Sequence, residues 1–185
     1  MANRSLKTQT VPPKKLAHVV LRSRKFDEAV AWYKTVLGAE AMFENGFLAF
    51  LTYDDEHHRV AIISTPDAGE VDHTRAGLDH VAFTFAQLGD LLSTYQRLKE
   101  AGITPYWCIN HGPTTSMYYR DPDGTQVELQ IDNFATDEAL EEWFETGAFN
   151  ENPIGVNFDP DELARLYEAG EPLSVLTRQG TAKAG

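Results

Sequence analysis

Two stretches of this chain are copies of one pattern. Leu16-Ala17-His18-Val19-Val20-Leu21 and Leu78-Asp79-His80-Val81-Ala82-Phe83 are short apolar runs, each interrupted by a histidine at the third place. The match continues at the same offset. Phe26, Ala29, Val30, Tyr33 and Val36 answer to Leu88, Leu91, Leu92, Tyr95 and Leu98. Their i, i+3, i+4, i+7 spacing is one face of a helix, and Gly38 and Gly102 follow as stop signals. Short extended runs come next: Ala41–Glu44, Phe47–Tyr53 and Arg59–Ser64 in the first copy, Thr104–Ile109, Ser116–Tyr119 and Thr125–Ile131 in the second. Gly46, the stretch Asp54-Asp55-Glu56, His111-Gly112-Pro113 and Asp121-Pro122-Asp123-Gly124 separate them with turn chemistry. Each copy therefore reads βαβββ. One copy alone cannot bury both faces of its sheet. The expected fold class is α+β, with two βαβββ modules packed into one curved mixed sheet around a central cleft, plus a C-terminal helical tail. The expected boundaries are a polar arm at 1–14, a domain at 15–132 with modules 15–66 and 77–132, and an extension at 133–185.

The duplication places His18 and His80 at matching positions, and the second copy ends on Glu128. A lone histidine in an apolar strand is ordinarily a satisfied core residue, and a glutamate alternating with Gln126 and Gln130 suits a solvated face. Two imidazoles repeated at one strand position, with a carboxylate in the second copy, change that weighing. Such a set holds a divalent metal on one face and leaves the opposite face open. His18, His80 and Glu128 are the expected metal ligands.

A chain of 185 residues, 42% of them hydrophobic, is about one ordinary domain with a sizeable core. Its formal charge of −12 argues against nucleic acid or an anionic membrane, because phosphate binding needs clustered Lys and Arg. No apolar run approaches the ~18 residues of a membrane span. The stretch from Met1 to Lys15 is polar and basic, with no signal-peptide core. The single cysteine, Cys108, excludes an internal disulfide and fits a reducing compartment. The expected location is cytoplasmic.

The extension belongs to neither copy. It reads as two acidic helices, about Asp137–Phe149 and Pro160–Ala169, with Thr136 and Asp159 as N-caps. Leu140, Trp143 and Phe144 give the first an apolar side. The extension either packs on the sheet or a second subunit, or closes over the cleft as a lid. From Thr177 onward it reads as disordered.

The two His strands, together with Tyr118-Tyr119-Arg120-Asp121-Pro122-Asp123-Gly124-Thr125-Gln126-Val127-Glu128, resemble the vicinal oxygen chelate superfamily over roughly Lys15 to Asp132. That group includes glyoxalase I, fosfomycin- and bleomycin-resistance proteins and type I extradiol dioxygenases. The resemblance implies paired βαβββ modules and a metal in the cleft. It does not by itself choose a reaction.

Further residues resemble the single-domain extradiol dioxygenases. Glyoxalase I uses a fourth protein ligand on the last strand of its first module. Aligning Val60 with Val127 puts Ala61 there, and alanine cannot bind metal. Three ligands leave room for a catechol held through two oxygens with O2 beside it, which suits Fe(II); Mn(II) fits the same donors. His57-His58-Arg59-Val60-Ala61-Ile62 resembles a strand start in which the second histidine reaches the dioxygen, a role carried onto His58, with His57 left as a solvated neighbour. Tyr118, ten residues before Glu128, and His111 resemble the Tyr and His that contact the catechol oxygens. His111 lies slightly closer to Tyr118 than in the two-domain biphenyl enzymes. Against these roles stand a strand-end His pair, a turn His bonded to backbone and a half-buried strand Tyr. Tyr119, Cys108 and Trp107 read as packing, with Trp107 as a wall for an aromatic substrate the sharper reading. His73 reads as solvated.

The resemblance thus implies an extradiol ring-cleaving dioxygenase acting on a small aromatic diol, with Fe(II) as cofactor and O2 as co-substrate. His58, His111 and Tyr118 would be its catalytic residues, and His111 and Tyr118 would bind substrate. A homodimer or larger assembly would complete a cleft that two modules wall only in part. Alternatives are a fosfomycin-type transferase or an isomerase of the same superfamily, and a non-enzymatic ligand-sequestering protein.

Overall fold

A computed structural model of the chain describes residues 10–183. Residues 1–9 of the expected arm and 184–185 of the extension lie outside the described residues. The first module runs β1 (Val19–Ser23), α1 (Phe26–Leu37), β2 (Glu40–Glu44), β3 (Leu48–Thr52) and β4 (Val60–Ser64). The second runs β5 (His80–Thr84), α2 (Leu88–Glu100), β6 (Trp107–Asn110), β7 (Thr114–Arg120) and β8 (Gln126–Asp132). The ten apolar positions shared by the two copies are all buried on α1 and α2. Gly38 ends α1 in the left-handed region at φ 62°, where a side chain would be strained.

The copies agree down to strand register. β1 lies parallel to β4 with Val19 opposite Val60 and Val20 opposite Ala61. β5 lies parallel to β8 with Val81 opposite Val127 and Ala82 opposite Glu128. Ala61 therefore stands where Glu128 stands in the second module. The neighbouring ladders extend the match: Phe50 faces Ala61 and Tyr118 faces Glu128, while Phe43 faces Phe50 and Trp107 faces Tyr118. One half of the site is aromatic and apolar where the other is polar.

The expected single curved sheet is two hydrogen-bonded sheets, ordered β1-β4-β3-β2 and β5-β8-β7-β6-β9. Among the described residues the ladder does not continue between them, and side chains tie the modules instead. The buried Tyr33 hydroxyl on α1 donates to Asp121 Oδ2 at 3.1 Å, and Ser23 Oγ donates to Asp123 Oδ2 at 2.5 Å. Arg97 on α2 donates to the Thr35 carbonyl at 2.6 Å. The Asp-Pro-Asp-Gly turn of the second module is thereby clamped to the start of the first.

The extension forms α3 (Asp137–Glu145), α4 (Ala148–Glu151), β9 (Val156–Asn157), α5 (Pro160–Glu168) and α6 (Leu173–Leu176). Thr136 and Asp159 cap α3 and α5 as expected, accepting from Ala139 N and from Asp161 and Glu162 N. The expected helix to Phe149 stops earlier because Gly147 takes φ 79° and breaks it. The extension packs on the second module. β9 adds an antiparallel strand to β6, and α5 docks on α2, where Lys99 and the Tyr95 hydroxyl both meet Asp161. The residues from Thr177 to Lys183 are held, contrary to expectation. Asn110 Nδ2 donates to the Thr177 carbonyl, Gln179 donates to the Asn110 carbonyl, and Phe158 bridges to Lys183. Among the described residues no helix is long and apolar enough to cross a membrane.

Candidate metal centre and its aromatic wall

His80 opens β5 and Glu128 lies on the adjacent β8, so the register alone brings them together. His80 Nε2 stands 3.0 Å from Glu128 Oε2, with the Glu128 side chain only 6% exposed. The other imidazole nitrogen, Nδ1, is 2.7 Å from Asp79 Oδ1. A carboxylate only accepts, so each of these contacts needs a proton on the ring nitrogen or a cation in its place. Nε2 faces a buried carboxylate oxygen. Two acceptors at this distance need a proton or a cation between them, and a buried carboxylate needs a counter-charge. The chemistry of this pair fits a metal.

His18 is placed differently. It sits just before β1, exposed, with its ring centroid 4.3 Å from that of His58. Among the described residues no three His, Cys, Asp or Glu side chains stand close enough to share one ion. The structure thus joins His80 to Glu128 and leaves His18 with His58. Ala61 occupies the place of Glu128 in the first module, and His18 sits against His58, whose ring stacks on Phe50.

His58, in the loop before β4, is 8% exposed and stacks on Phe50 with centroids 4.3 Å apart. Its Nδ1 is 2.6 Å from Nδ1 of His57, so one proton is shared between the rings and His58 Nε2 is its free nitrogen. Burial, then the neighbouring His18 and His57, holds the His58 pKa below the usual imidazole value, favouring the neutral ring. His57 is mostly exposed, yet it orients His58 rather than merely facing solvent.

Tyr118, on β7 opposite Glu128, links the remaining parts. Its ring meets His80 edge-on at 5.4 Å and stacks on Trp107 at 4.8 Å. Its hydroxyl is 3.0 Å from His111 Nε2. Burial, then the charge of Glu128, raises the Tyr118 pKa well above the ordinary phenol value and keeps its proton on. His111 Nδ1 lies 2.5 Å from the Ile154 carbonyl of the extension. Trp107 also meets His111 edge-on at 5.7 Å, and its Nε1 donates to Asn157 Oδ1 at 2.9 Å. So His80, Glu128, Tyr118 and His111 form one connected group, with Trp107 as its wall.

Sequence reasoning missed Asp79, Phe50, Ile154 and Asn157. The Asp-His pair at Asp79-His80 was the available signal for the first, and the equivalence of Phe50 with Tyr118 for the second. Tyr119 is core, 1% exposed. Burial, then Asp159 and Asp161, pushes the Cys108 thiol up to about 12, so it is no ready nucleophile. His73 is exposed in the loop between modules.

Residues 15–129 match the Glyoxalase/Bleomycin resistance protein/Dioxygenase superfamily. The chain is 47% identical to biphenyl-2,3-diol 1,2-dioxygenase 3 of Rhodococcus globerulus over 94% of this chain and 92% of that protein. It is 46% identical to biphenyl-2,3-diol 1,2-dioxygenase 2 of the same organism, over 91% and 89% of the two chains. The solved structure of a glyoxylase/bleomycin resistance protein/dioxygenase domain from Frankia sp. EAN1pec superposes with a TM-score of 0.56 at 20% identity, covering 70% of this chain and 99% of that one.

Proposed function

The chain belongs to the Glyoxalase/Bleomycin resistance protein/Dioxygenase superfamily, and from that premise we propose that it is an extradiol dioxygenase that opens the ring of a catechol-type aromatic diol with O2. The observation that carries this reading is the connected group His80–Glu128–Tyr118–His111, a metal-ligand pair joined to two proton-handling side chains beside an aromatic wall. A fosfomycin-type transferase or an isomerase would use the metal ligands but leave Tyr118, His111 and His58 without a task. The relatives similar over nearly the whole chain are named as biphenyl-2,3-diol dioxygenases.

His80 and Glu128 would hold the metal, with His18 as third ligand, supported by its place in the repeat. Fe(II) is the ion we assign, and Mn(II) suits the same donors. Bound there, it supplies the redox chemistry linking diol and O2. The protein supplies positions and protons. Tyr118, kept protonated, donates its one O–H toward His111 Nε2, and its oxygen accepts a hydrogen bond from a phenolic hydroxyl of the substrate on the second-module side. His111 Nε2 lies behind that hydroxyl and takes a phenolic proton through or beside it. His58, neutral and largely buried on the first-module side, holds a nitrogen ready to accept and return a proton near the ring carbons. Phe50 and Trp107 exclude water and pack on the flat ring. We further assign a homodimer or larger assembly and a cytoplasmic location, the latter supported by the single unpaired cysteine.

The test is anaerobic loading with Fe(II), addition of 2,3-dihydroxybiphenyl, then oxygen. The expected result is a yellow ring-opened product formed with O2 consumed one for one. Absence of colour with loaded iron, or coupling of a thiol to fosfomycin instead, overturns the reading.

A further inference from the structure

The C-terminal extension shares neither module's pattern, yet its backbone reaches the candidate site at one point. The Ile154 carbonyl lies 2.5 Å from His111 Nδ1. A carbonyl oxygen only accepts, so this contact requires the proton on Nδ1. In the neutral ring Nε2 is then bare, and Nε2 is the nitrogen facing the Tyr118 hydroxyl at 3.0 Å. We propose that the extension is a positioning element of the active site, with Ile154 and Gly155 fixing the tautomer of His111 so that its basic nitrogen points at Tyr118. This rests on the dioxygenase reading for its consequence, but not for its geometry.

The approach is built, not incidental. Gly155 has φ 110°, and a Cβ there would sit 2.3 Å from the Asn110 carbonyl oxygen and 2.7 Å from His111 Cα. Both obstacles are backbone, so only glycine lets the chain pass this close. Asn152 braces the turn from both sides: its Nδ2 donates to the Gly155 carbonyl at 2.8 Å, and its Oδ1 accepts from Gly155 N at 3.0 Å. Directly afterwards β9 pairs with β6, Val156 opposite Asn110 and Asn157 opposite Ile109. The other end of the contact is equally held. His111 N donates to the Thr114 carbonyl, and Gly112 N to Asn110 Oδ1. A histidine near an ordinary turn would exchange its proton between two tautomers. Here one tautomer gains a hydrogen bond to the carbonyl and the other sets a lone pair against it, a difference large enough for one form to dominate.

The test reads the tautomer directly. In the uniformly 15N-labelled full chain, two-bond proton–nitrogen correlation spectra are recorded at a pH where the ring is neutral, with His111→Gln used for assignment. The expected wild-type result is a protonated Nδ1 and a bare Nε2. Gly155→Ala should shift His111 to a mixture or to the Nε2-protonated form. In the iron-loaded enzyme it should lower kcat at least about tenfold, with KM for the diol within about twofold, as expected for a misdirected base rather than lost binding. If Gly155→Ala does not fold, Asn152→Ala, which removes only the brace, carries the same expectation in smaller degree. A wild-type ring protonated on Nε2 overturns the proposal, and so does an unchanged tautomer in the folded variant. A correct tautomer without diol cleavage would instead count against the dioxygenase reading alone.

Discussion

Replacing Tyr118 with phenylalanine separates the chemistry of the wall from its packing. The ring would keep its stack on Trp107 at 4.8 Å and its edge contact with His80 at 5.4 Å. The hydroxyl is lost, with its 3.0 Å contact to His111 Nε2 and its contact with Glu128. A neutral hydrogen bond contributes a net ~1 kcal/mol, so the unfolding free energy should change by about that much or less. Truncation to alanine, by contrast, would open a cavity beneath a residue that is 6% exposed and cost roughly 3–5 kcal/mol. Catalysis should respond in the opposite proportion. A positioned proton-relay group is worth ~10²–10⁴ in rate, so Tyr118→Phe should lower kcat/KM at least about a hundredfold, or ~2.7 kcal/mol of transition-state stabilisation. Metal content should be unchanged, because the hydroxyl is not among the assigned ligands. The assay is steady-state oxygen uptake on iron-loaded protein, paired with urea unfolding of both variants. Full kcat/KM in a stable, iron-replete Tyr118→Phe would refute the reasoning. A fall in stability of several kcal/mol would do the same from the other side, since it would make the hydroxyl structural.

Two further outcomes test other joints of the fold. His58 has its folded pKa held below the unfolded value of about 6.5. The unfolded chain therefore binds the extra proton in that window, and the contribution to stability is present above about pH 6.5 and lost as pH falls through the folded pKa. His58→Gln should flatten this part of the stability-against-pH curve in denaturant titrations while abolishing turnover; an unchanged slope contradicts the assignment. Tyr33→Phe removes the donor to Asp121 Oδ2 and leaves a buried carboxyl oxygen unsatisfied, at a cost of about 1–3 kcal/mol. Thermal unfolding would show it as a lower midpoint, and no shift would mean that this tie between modules is not stabilising.

The repeat made most of the fold readable. Helical periodicity located α1 and α2 by the residues that do in fact bury, and turn residues located six of the later strands to within a few positions. Matching Val60 to Val127 anticipated the ladder register, so the presence of Ala61 at the place of Glu128 was legible in the sequence alone. The unread parts have a common cause. β9 has two residues, too few to show alternation. The hold on residues 177–183 and on His111 ends on backbone carbonyls, which leave no mark on side-chain pattern. The separation of His18 from His80 and Glu128 was hidden for a different reason. The repeat aligns strand positions, but it does not fix which way an exposed imidazole turns.

Metal stoichiometry tests the central claim most directly. Wild type, His18→Ala, His80→Ala and Glu128→Ala are dialysed anaerobically against Fe(II), and bound iron per chain is measured by elemental analysis beside circular dichroism for folding. One iron per wild-type chain, and strongly reduced iron in each folded variant, is the expected result. Full iron and full diol cleavage in Glu128→Ala would contradict the account. Full iron in His18→Ala alone would remove that residue from the ligand set and leave the His80–Glu128 pair standing.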